Sequence, residues 1–401
     1  MKQAVILCGG KGTRLGSLTE HTPKPMIKVL GKPFLDHLIL KLVRYGFDDI
    51  VLCAGYLGDQ IYGRYHGHEK YGVLLRVYVE STPQGTGGAL LQLDDMLDDS
   101  FLVINGDTYY DINYVEIFRW VLDNDLAKRN IIVTRRVTGN DRYGIVNFDK
   151  SYCVTEFSEK HKEVGANFVN AGIYIFQRSY LQKYKGSTKP MTSLEYDILP
   201  SMASDGVLYA KALEENLYFV DIGLPRTLQY FTRSFHSILN RPALILDRDN
   251  TITNDNGYTY MVEDLEFIND AVNAIRQANS KNVYVFVVTN QSGIGRGYYS
   301  ESDMRTFHKK INERLFEHGA HIDAFEFCPH LPYADCLCRK PGTLMLQNLL
   351  DSFHFDVKKS LMIGDKLTDF HCGNNFGIKS QVITEGSQLS DMVSNWVDKC
   401  L

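Results

Sequence analysis

The chain has 401 residues, of which 44% are hydrophobic and 23% charged, and its formal net charge is -5. This length exceeds the size at which a single hydrophobic core stops growing, so we expect two domains. The near balance of charge argues against a general nucleic-acid or membrane-surface binder, although local basic pockets for phosphate groups remain compatible with it.

The N-terminus, MKQAVILCGGKG, carries an apolar run that is too short for a signal-peptide core or a membrane span. We interpret it as a first buried strand. Most of the eight cysteines are isolated in the sequence. Isolated thiols without a secretory signal are typical of a reducing compartment, so we expect a cytoplasmic protein.

Short apolar runs alternate with segments of helical period along the chain. AVILCGG, DDIVLCAGY, SFLVINGD and NIIVTRRV predict strands, and PFLDHLILKLVRYG predicts an amphipathic helix that ends at a glycine. The pattern restarts at RPALILDRDNT and continues through VYVFVVTNQSG and SLMIGDKLTD. We therefore expect two α/β domains with largely parallel sheets, over residues 1–235 and 241–401.

A glycine-rich turn, LCGGKGTRLGSLTEHTPKP, follows the first predicted strand. Gly9, Gly10 and Gly12 would let the backbone approach a phosphate chain closely. Arg14 and Lys24 can offset the charge of that chain. A tight strand-to-helix turn also needs glycines, so the turn alone leaves both interpretations open. Its spacing is neither the dinucleotide-binding fingerprint nor the phosphate-binding P-loop.

The turn and the segments after it resemble the sugar-nucleotidyltransferases, which join a sugar 1-phosphate to a nucleoside triphosphate and release pyrophosphate. The similar segments are GGKGTRL, TPKP, ESTPQGTGGAL, INGD, RYGIV, EFSEK, VNAGIYIF and FVDIG, in the family's order within residues 1–232. The resemblance implies a Rossmann-like N-terminal domain with a mixed, mostly parallel sheet. ESTPQGTGGAL and EFSEK look closest to mannose 1-phosphate and heptose 1-phosphate guanylyltransferases.

This resemblance also implies roles for single residues. Asp107 and Asp221 match the family's pair of Mg²⁺ ligands, Arg14 would hold the β- and γ-phosphates, and Lys24 would hold the phosphate at the reacting centre. The implied nucleotide-binding residues are Leu7, Gly9, Gly10, Gly12, Thr13, Arg14 and Gly85, and the implied sugar-binding residues are Gly144, Glu159, Lys160 and Asn170. Asn170 could instead cap a turn, and the last two residues of EFSEK could be a solvated ion pair.

In the second half, ALILDRDNTIT places Asp247 and Asp249 two residues apart at the end of an apolar run. Alternate residues of a strand point the same way, so both carboxylates can enter one site. Two close carboxylates repel each other unless a cation or a proton lies between them. The pair therefore favours a metal site or acid–base chemistry over a helix-capping turn.

With VVTNQSG, CRKP and MIGDKLTD, this segment resembles the four motifs of the haloacid dehalogenase (HAD) phosphatases, over about residues 242–390. The resemblance implies that Asp247 is the nucleophile, that Asp249 is the general acid and base, and that Asp369 supports them. Mg²⁺ would be held by Asp247, the Asp249 backbone carbonyl and Asp365. Thr289 and Lys340 would bind the phosphoryl oxygens. Asn290 and Arg339 are further phosphate-binding candidates, and Arg296 is a candidate contact of a second phosphate or of the sugar. Asn250 stands where the family usually has glycine, and asparagine tolerates the left-handed conformation.

Three cysteines and a histidine lie within eleven residues directly before the RKP of CRKP: Cys328, His330, Cys336 and Cys338. Three thiolates and one imidazole fill the tetrahedral shell of Zn²⁺ and leave no open position, which indicates a structural site. Free thiols on a loop are the alternative. A zinc loop of this form looks like histidinol-phosphate phosphatase and D-glycero-D-manno-heptose 1,7-bisphosphate phosphatase, and TNQSGIGRG favours the heptose enzyme.

The presence of both halves in one chain reduces the number of candidate substrates for each of them. Removal of the C7 phosphate from heptose 1,7-bisphosphate leaves heptose 1-phosphate, which a heptose-type nucleotidyltransferase would consume with GTP as the expected donor. We therefore expect a bifunctional enzyme of nucleotide-activated heptose biosynthesis, with small-molecule substrates, Mg²⁺ in both sites, a structural Zn²⁺ and a homo-oligomer as one possible assembly.

Two alternatives stay open at this point. The first is a nucleotidyltransferase for mannose 1-phosphate or another hexose 1-phosphate, fused to a histidinol-phosphate-like or other sugar-phosphate phosphatase. The second is a chain in which one half is a nucleotide-binding or zinc-binding scaffold without activity.

Overall fold

The computed structural model describes residues 3–70, 73–140, 143–159, 163–185, 191–213, 217–384 and 386–400. The chain forms two compact units. The first unit comprises Met1–Val43 and Phe47–Arg233, and the second comprises Arg44–Gly46 and Ser234–Leu401. In the ranges given, none of the helices has the length and apolar character needed to cross a membrane.

The first unit contains the strands β1 (Gln3–Cys8), β2 (Lys28–Val29), β3 (Lys32–Pro33), β4 (Asp49–Ala54), β5 (Glu69–Lys70), β6 (Val73–Val79), β7 (Ser100–Asn105), β8 (Thr108–Tyr110), β9 (Asn130–Asn140), β10 (Ile145–Phe148), β11 (Val154–Ser158), β12 (Glu163–Gln177), β13 (Leu208–Leu213) and β14 (Phe219–Asp221). Its helices are α1 (Phe34–Arg44), α2 (Gly58–Tyr65), α3 (Gly85–Leu91), α4 (Tyr114–Asp123), α5 (Arg178–Leu181), α6 (Leu199–Ser204) and α7 (Pro225–Leu239), of which α7 continues into the second unit. The four predicted strands and the predicted amphipathic helix are all confirmed.

Ten strands of the described ranges form one sheet, in the order β11-β10-β12-β7-β1-β4-β6-β5, with β9 on β12 and β13 on β9. The central strands β7, β1, β4 and β6 are parallel, whereas β12 runs antiparallel to β7. The expected mixed α/β sheet is thereby confirmed. Ala4, Val5 and Ile6 of β1 are fully buried, as expected for a central strand covered on both faces.

The second unit contains the strands β15 (Ala243–Leu246), β16 (Tyr284–Asn290), β17 (Ala324–Cys328), β18 (Leu361–Gly364) and β19 (Lys379–Val382), and the helices α8 (Ala271–Ser280), α9 (Ser292–Gly295), α10 (Glu301–Glu317), α11 (Leu344–Phe353), α12 (Leu367–Phe376) and α13 (Leu389–Cys400). Within the described chain these strands form a parallel sheet in the order β17-β16-β15-β18-β19. The strand order reverses direction at β15, and a ligand crevice is expected at the carboxyl ends of the strands beside such a point.

Helix α10 shows how local sequence fixes an element of this unit. Its first turn is closed by a capping box, in which Ser300 Oγ accepts from the Asp303 backbone N–H at 3.1 Å and the Asp303 carboxylate accepts from the Ser300 N–H at 2.8 Å. Met304, Phe307 and Ile311, spaced by three and four residues, are fully buried. The cap and the apolar stripe together specify where the helix begins and which face it buries.

Replacement of Ser300 by alanine is expected to lower the free energy of unfolding of the second unit by about 1 kcal/mol, because it removes the acceptor of the Asp303 N–H. The matched control is Ser302→Ala, an exposed position in the same turn, for which the expected change is within about 0.5 kcal/mol. Urea unfolding of Trp120→Phe backgrounds, in which Trp396 of α13 is the remaining tryptophan, measures both values. Equal losses in the two variants would contradict the capping role.

Candidate active sites

A cleft with a volume of about 150 Å³ opens in the first unit beyond the carboxyl end of β7. Six residues singled out in the sequence line it: Arg14, Asp107, Gly144, Glu159, Asn170 and Asp221. The described lining does not include the other implied nucleotide-binding residues Leu7, Gly9, Gly10, Gly12, Thr13 and Gly85. Those residues lie at the end of β1, in the turn after it and at the start of α3.

Lys24 lies between two carboxylates that line this cleft. Its Nζ is 2.6 Å from Asp107 Oδ2 and 3.7 Å from Asp221 Oδ1, and the residue is almost fully buried. Asp107 follows β7, and the antiparallel pairing of β8 with β14 sets Asp221 opposite Thr108. The pairing therefore brings together two carboxylates that are far apart in sequence, and the ammonium shows that their oxygens converge on a position suited to a cation.

Gly12 allows the glycine-rich turn to come this close to Lys24. Its φ is +64°, in the left-handed region, and a Cβ there would lie 3.0 Å from Thr19 Cγ2 and 3.3 Å from Lys24 Cβ. Thr19 Oγ1 donates to the Gly12 carbonyl at 3.1 Å and so closes the turn. Gly10 and Arg14 remain exposed, which leaves a backbone stretch and a guanidinium open to a ligand.

Three of the four implied sugar-binding residues line the same cleft: Gly144, Glu159 and Asn170. Asn170 donates its backbone N–H to the Gly144 carbonyl at 2.9 Å, and a Cβ at Gly144 would lie 2.6 Å from Glu159 Oε2. The Asn170 side chain also accepts from the Gly172 N–H at 2.9 Å, so it closes a local turn while it lines the cleft. Lys160 lies outside the described residues.

Seven further lining residues of the cleft had no role assigned from the sequence: Asn105, Thr108, Tyr143, Ala171, Gly172, Glu195 and Phe219. Five of them stand inside the quoted motifs INGD, RYGIV, VNAGIYIF and FVDIG, which was a usable signal. Glu195 lies in no motif. It reaches the cleft because its carboxylate accepts from Thr86 Oγ1 of α3 at 2.8 Å, a contact made only in the folded chain.

The second site lies at the carboxyl ends of the central strands of the second unit. Asp247 follows β15, Thr289 is the next-to-last residue of β16, and Asp365 follows β18. Lys340 Nζ reaches this point and lies 2.6 Å from Asp247 Oδ1, 2.6 Å from Asp369 Oδ1 and 2.7 Å from the Val288 carbonyl. The structure therefore gathers residues from all four motifs that the sequence singled out.

The charges of this site are strongly coupled. Burial by itself would lower the pKa of Lys340, but Asp247 and Asp369 outweigh burial and raise that pKa above its ordinary value. Burial and the Asp247 carboxylate raise the pKa of Asp365 to about 6. The site therefore holds three carboxyl groups, from Asp247, Asp365 and Asp369, against the single positive charge of Lys340.

The same carboxylates fit a divalent cation. Asp247, Asp365 and Asp369 offer oxygens that lie within 4.8 Å of one another. Asp365 Oδ1 is buried and has no hydrogen-bond partner among the described residues. An orphaned carboxylate oxygen beside two others is the donor set that Mg²⁺ prefers, whereas Asp369 is already engaged by Lys340 and by the Lys366 N–H at 3.0 Å.

The turn after Asp247 has the expected backbone. Asn250 adopts φ +57°, so the prediction that asparagine can replace glycine there is confirmed. Asp249 is half-buried, and burial raises its pKa, with a further contribution from the Asp247 carboxylate. Its side chain contacts Arg248, which is completely buried, at 2.5 Å.

The other three phosphate-binding candidates, Asn290, Arg296 and Arg339, are less buried than Thr289 and Lys340. The Asn290 side chain accepts from the Lys340 N–H at 3.0 Å and donates to the Lys340 carbonyl at 3.3 Å, so it fixes the backbone that carries the lysine. Arg339 donates to the His330 carbonyl at 3.3 Å. Arg296 is exposed, with its guanidinium 5.8 Å from the centre of the Tyr258 ring.

The four ligand atoms of the cysteine and histidine cluster lie within 4.8 Å of one another. Cys338 Sγ is 3.2 Å from both Cys328 Sγ and His330 Nδ1, and Cys328 Sγ is 3.8 Å from Cys336 Sγ. A tetrahedral zinc with bonds of about 2.0–2.3 Å separates its ligand atoms by roughly 3.3–3.8 Å, so the observed spacing fits such an ion. The three thiols are free and form no disulfide.

The loop that carries this cluster has little apolar support of its own. Tyr333 is 82% exposed and Leu337 is 76% exposed, so neither contributes to a core. The Cys328 carbonyl accepts from the Gln291 N–H at 2.8 Å, and Cys338 stands two residues before Lys340. The four residues therefore lie in the segment that leads to Lys340, and a Zn²⁺ ion bound to them would stabilise that segment.

Family models match both parts of the chain. The nucleotidyl transferase model matches residues 3–236, and the HAD-hydrolase-like model matches residues 337–399. The first match covers more than half of the chain. The second lies within the unit that carries the parallel five-stranded sheet, and it identifies a C-terminal HAD-like domain.

Two curated relatives are similar to the N-terminal part. Mannose-1-phosphate guanylyltransferase catalytic subunit beta of Drosophila pseudoobscura pseudoobscura is 36% identical over 228 residues, 56% of this chain and 60% of that protein. D-glycero-alpha-D-manno-heptose 1-phosphate guanylyltransferase of Campylobacter jejuni is 32% identical over 231 residues, 57% of this chain and 98% of that protein. The chain thus spans about three fifths of the mannose-type relative and nearly all of the heptose-type one.

A solved structure agrees with this similarity. HddC from Yersinia pseudotuberculosis superposes with a TM-score of 0.51 at 32% identity, covering 59% of this chain and 100% of that chain. A second structure of HddC, complexed with GMP-PN, superposes with a TM-score of 0.50. The similarity covers the whole of HddC and leaves the rest of this chain, more than a third of it, outside the match.

Loss of the Lys340 charge is expected to destabilise the second unit strongly. Lys340→Met keeps the length of the side chain but leaves Asp247 and Asp369 buried without their cation, so in magnesium-free buffer the free energy of unfolding should fall by about 3–5 kcal/mol. Lys366→Met is the matched control, since this exposed lysine lies 3.5 Å from Asp365 and its loss should cost less than about 1 kcal/mol. Urea unfolding of both variants measures the difference. A similar loss of stability in the two variants would contradict the prediction that the buried ion pairs of Lys340 stabilise the unit more than the exposed contact of Lys366.

Proposed function

We propose, because the chain belongs to the nucleotidyl transferase family and carries a HAD-like second unit, that it is a bifunctional enzyme of nucleotide-activated heptose synthesis. The second unit would remove the C7 phosphate of D-glycero-D-manno-heptose 1,7-bisphosphate. The first unit would then transfer GMP from GTP to the heptose 1-phosphate that remains. One observation carries the proposal: a chain similar to nearly the whole of a heptose 1-phosphate guanylyltransferase also contains a site with the carboxylates and lysine of a phosphatase.

In the first unit the cleft residues suit a reaction between two polyanions. An oxygen of the sugar phosphate attacks the α-phosphorus, and the bond to the β-phosphate oxygen breaks as pyrophosphate leaves. Lys24 would supply buried positive charge at the reacting centre, and Arg14 would hold the outer phosphates at the exposed mouth. Mg²⁺ held by Asp107 and Asp221 would offset the remaining charge. The implied sugar contacts are Gly144, Glu159 and Asn170, together with Lys160.

In the second unit an oxygen of Asp247 would attack phosphorus and form an aspartyl-phosphate. The leaving sugar oxygen takes a proton from Asp249, which then removes a proton from the water that hydrolyses the intermediate. Thr289 and Lys340, both nearly fully buried, would hold the phosphoryl oxygens. Mg²⁺ held by Asp247, Asp365 and the Asp249 carbonyl would neutralise charge on the phosphate, and Zn²⁺ in the cysteine and histidine cluster would stabilise the loop that carries Lys340.

GTP is the proposed donor because the heptose-type relative is a guanylyltransferase and the HddC structure holds GMP-PN. The mannose-type relative, at 36% identity, favours mannose 1-phosphate as a second candidate acceptor. In that case the phosphatase would act on a different sugar phosphate, because mannose 1-phosphate is not the product of a heptose bisphosphate phosphatase.

The purified protein tests these assignments directly. With heptose 1,7-bisphosphate and Mg²⁺ we expect release of inorganic phosphate, followed by release of pyrophosphate when GTP is added. ATP, CTP and UTP, each added separately, test the base, and mannose 1-phosphate in place of the heptose substrate tests the acceptor. Absence of phosphate release would overturn the C-terminal assignment, and pyrophosphate release with mannose 1-phosphate alone would overturn the pathway.

The two activities should separate by mutation. Asp247→Asn removes the nucleophile and should abolish phosphate release while nucleotidyl transfer to heptose 1-phosphate continues at its normal rate. Asp107→Ala removes a proposed metal ligand of the other site and should have the opposite effect. Each variant is the control for the other, and loss of both activities in either one would contradict two independent sites.

Loss of one cluster ligand should weaken phosphate release without affecting transfer. Cys336→Ser is expected to lower bound zinc well below one ion per chain and to reduce phosphatase activity at least tenfold, because the loop no longer holds Lys340 in place. Cys153→Ser, a half-exposed cysteine of the first unit, is the matched control and should change neither quantity. Metal analysis with both assays measures the outcome, and full phosphatase activity in zinc-free Cys336→Ser would refute the bracing role.

A further inference from the structure

The side-chain amide of Gln291 joins two parts of the phosphatase site that the sequence motifs describe separately. Its Nε2 donates to Asp249 Oδ2 at 2.9 Å and to Thr289 Oγ1 at 2.9 Å. Asp249 belongs to the turn after β15, and Thr289 to the end of β16. One NH₂ group therefore spans the proposed general acid and a proposed phosphate-binding hydroxyl.

The orientation of this amide is fixed by what surrounds its oxygen. Gln291 Oε1 accepts from Tyr299 Oη at 2.6 Å and from Arg248 Nη2 at 3.3 Å. A flipped amide would turn its oxygen toward the Asp249 carboxylate and lose both of these donors. Gln291 is 2% exposed, so water cannot readily replace the lost partners.

Arg248 completes a closed network around the acid. Its guanidinium holds Asp249 Oδ1 at 2.5 Å, while Gln291 holds Oδ2, so both carboxylate oxygens have a fixed neighbour. Arg248 is itself anchored by the Thr259 carbonyl at 2.9 Å. Gly293 makes room for Tyr299, because a Cβ there would lie 2.3 Å from the tyrosine ring.

The hydrogen bond to Thr289 has a directional consequence. Because Thr289 Oγ1 accepts from Gln291, its own hydrogen is free to donate elsewhere. Thr289 is almost completely buried and directly follows Val288, whose carbonyl accepts from Lys340 Nζ at 2.7 Å. Gln291 thus fixes the Asp249 carboxylate and leaves the Thr289 hydroxyl able to donate a hydrogen bond.

We propose that Gln291 is a positioning residue of the phosphatase site, which holds Asp249 toward the leaving-group oxygen and turns the Thr289 hydroxyl toward the phosphate. The inference rests on the proposed phosphatase activity. In the step concerned, an Asp247 oxygen bonds to phosphorus, the bond from phosphorus to the sugar oxygen breaks, and that oxygen receives the proton of Asp249. A misplaced Asp249 slows this proton transfer without removing the nucleophile.

The test compares two substrates whose leaving groups differ in their need for a proton. Heptose 1,7-bisphosphate releases an alkoxide, which requires protonation, whereas p-nitrophenyl phosphate releases a stable phenolate. Gln291→Met keeps the length of the side chain but removes its hydrogen bonds. With this variant kcat for the heptose substrate should fall on the order of 10–100-fold, with KM changed much less, since misplacement of an acid acts on the chemical step. The kcat for p-nitrophenyl phosphate should fall by a clearly smaller factor, because its phenolate needs no proton and only the Thr289 contact and the water-activating step of Asp249 are disturbed.

Two further variants keep the test decisive. Tyr299→Phe removes only the hydroxyl that holds Gln291 Oε1, and it should show the same preference for the aryl substrate with a smaller loss. It also serves if Gln291→Met does not fold. Ser292→Ala is the matched control, next to Gln291 in sequence and outside the network, and it should leave both rates unchanged.

The outcomes distinguish a wrong role for Gln291 from a wrong assignment of phosphatase activity. Equal losses on the two substrates, or no loss on either, would show that Gln291 has a merely structural role and would overturn the inference. If the unmodified protein released phosphate from neither substrate, the proposed phosphatase function would itself be wrong, and the inference would fall with it.

Discussion

The second unit depends on the placement of one ammonium group. Lys340 Nζ lies 2.6 Å from carboxylate oxygens of Asp247 and Asp369, in a region almost without solvent. A buried carboxylate pair is unfavourable without a cation, and a buried lysine is unfavourable without an anion, so neither set is stable alone. The backbone of Lys340 is accordingly fixed from two directions, by the Asn290 side chain and by the loop of the cysteine and histidine cluster.

The first unit shows the same arrangement with different elements. Lys24 lies 2.6 Å from Asp107 and 3.7 Å from Asp221, and here too the lysine is buried in a site that the proposed reaction fills with phosphate. In both units a lysine balances carboxylates that are also suited to hold Mg²⁺. Phosphate chemistry needs concentrated positive charge, and such charge is stable before substrate binds only if acidic groups accompany it.

The sequence predicted the candidate sites largely through short motifs at strand ends. Asp247, Thr289 and Asp365 lie at the carboxyl ends of neighbouring parallel strands, which share one edge of the sheet. Glu195 of the cleft was not predicted, because its position depends on a hydrogen bond to Thr86 of α3. Gln291 stood inside a quoted motif, but its link to Asp249 depends on how the turn after β15 packs against the end of β16.

The sequence by itself determined the two α/β units, the polar residues at the ends of their strands and the donor set of the cysteine and histidine cluster. These follow from periodicity, from residue type and from local spacing, which act over a few residues. Only the tertiary structure decided which oxygen each lysine contacts, that Asn290 holds the backbone of Lys340, and that Arg248 and Gln291 enclose Asp249. Those contacts join residues on separate strands and loops, and their geometry exists only once the sheet has fixed the distances between them.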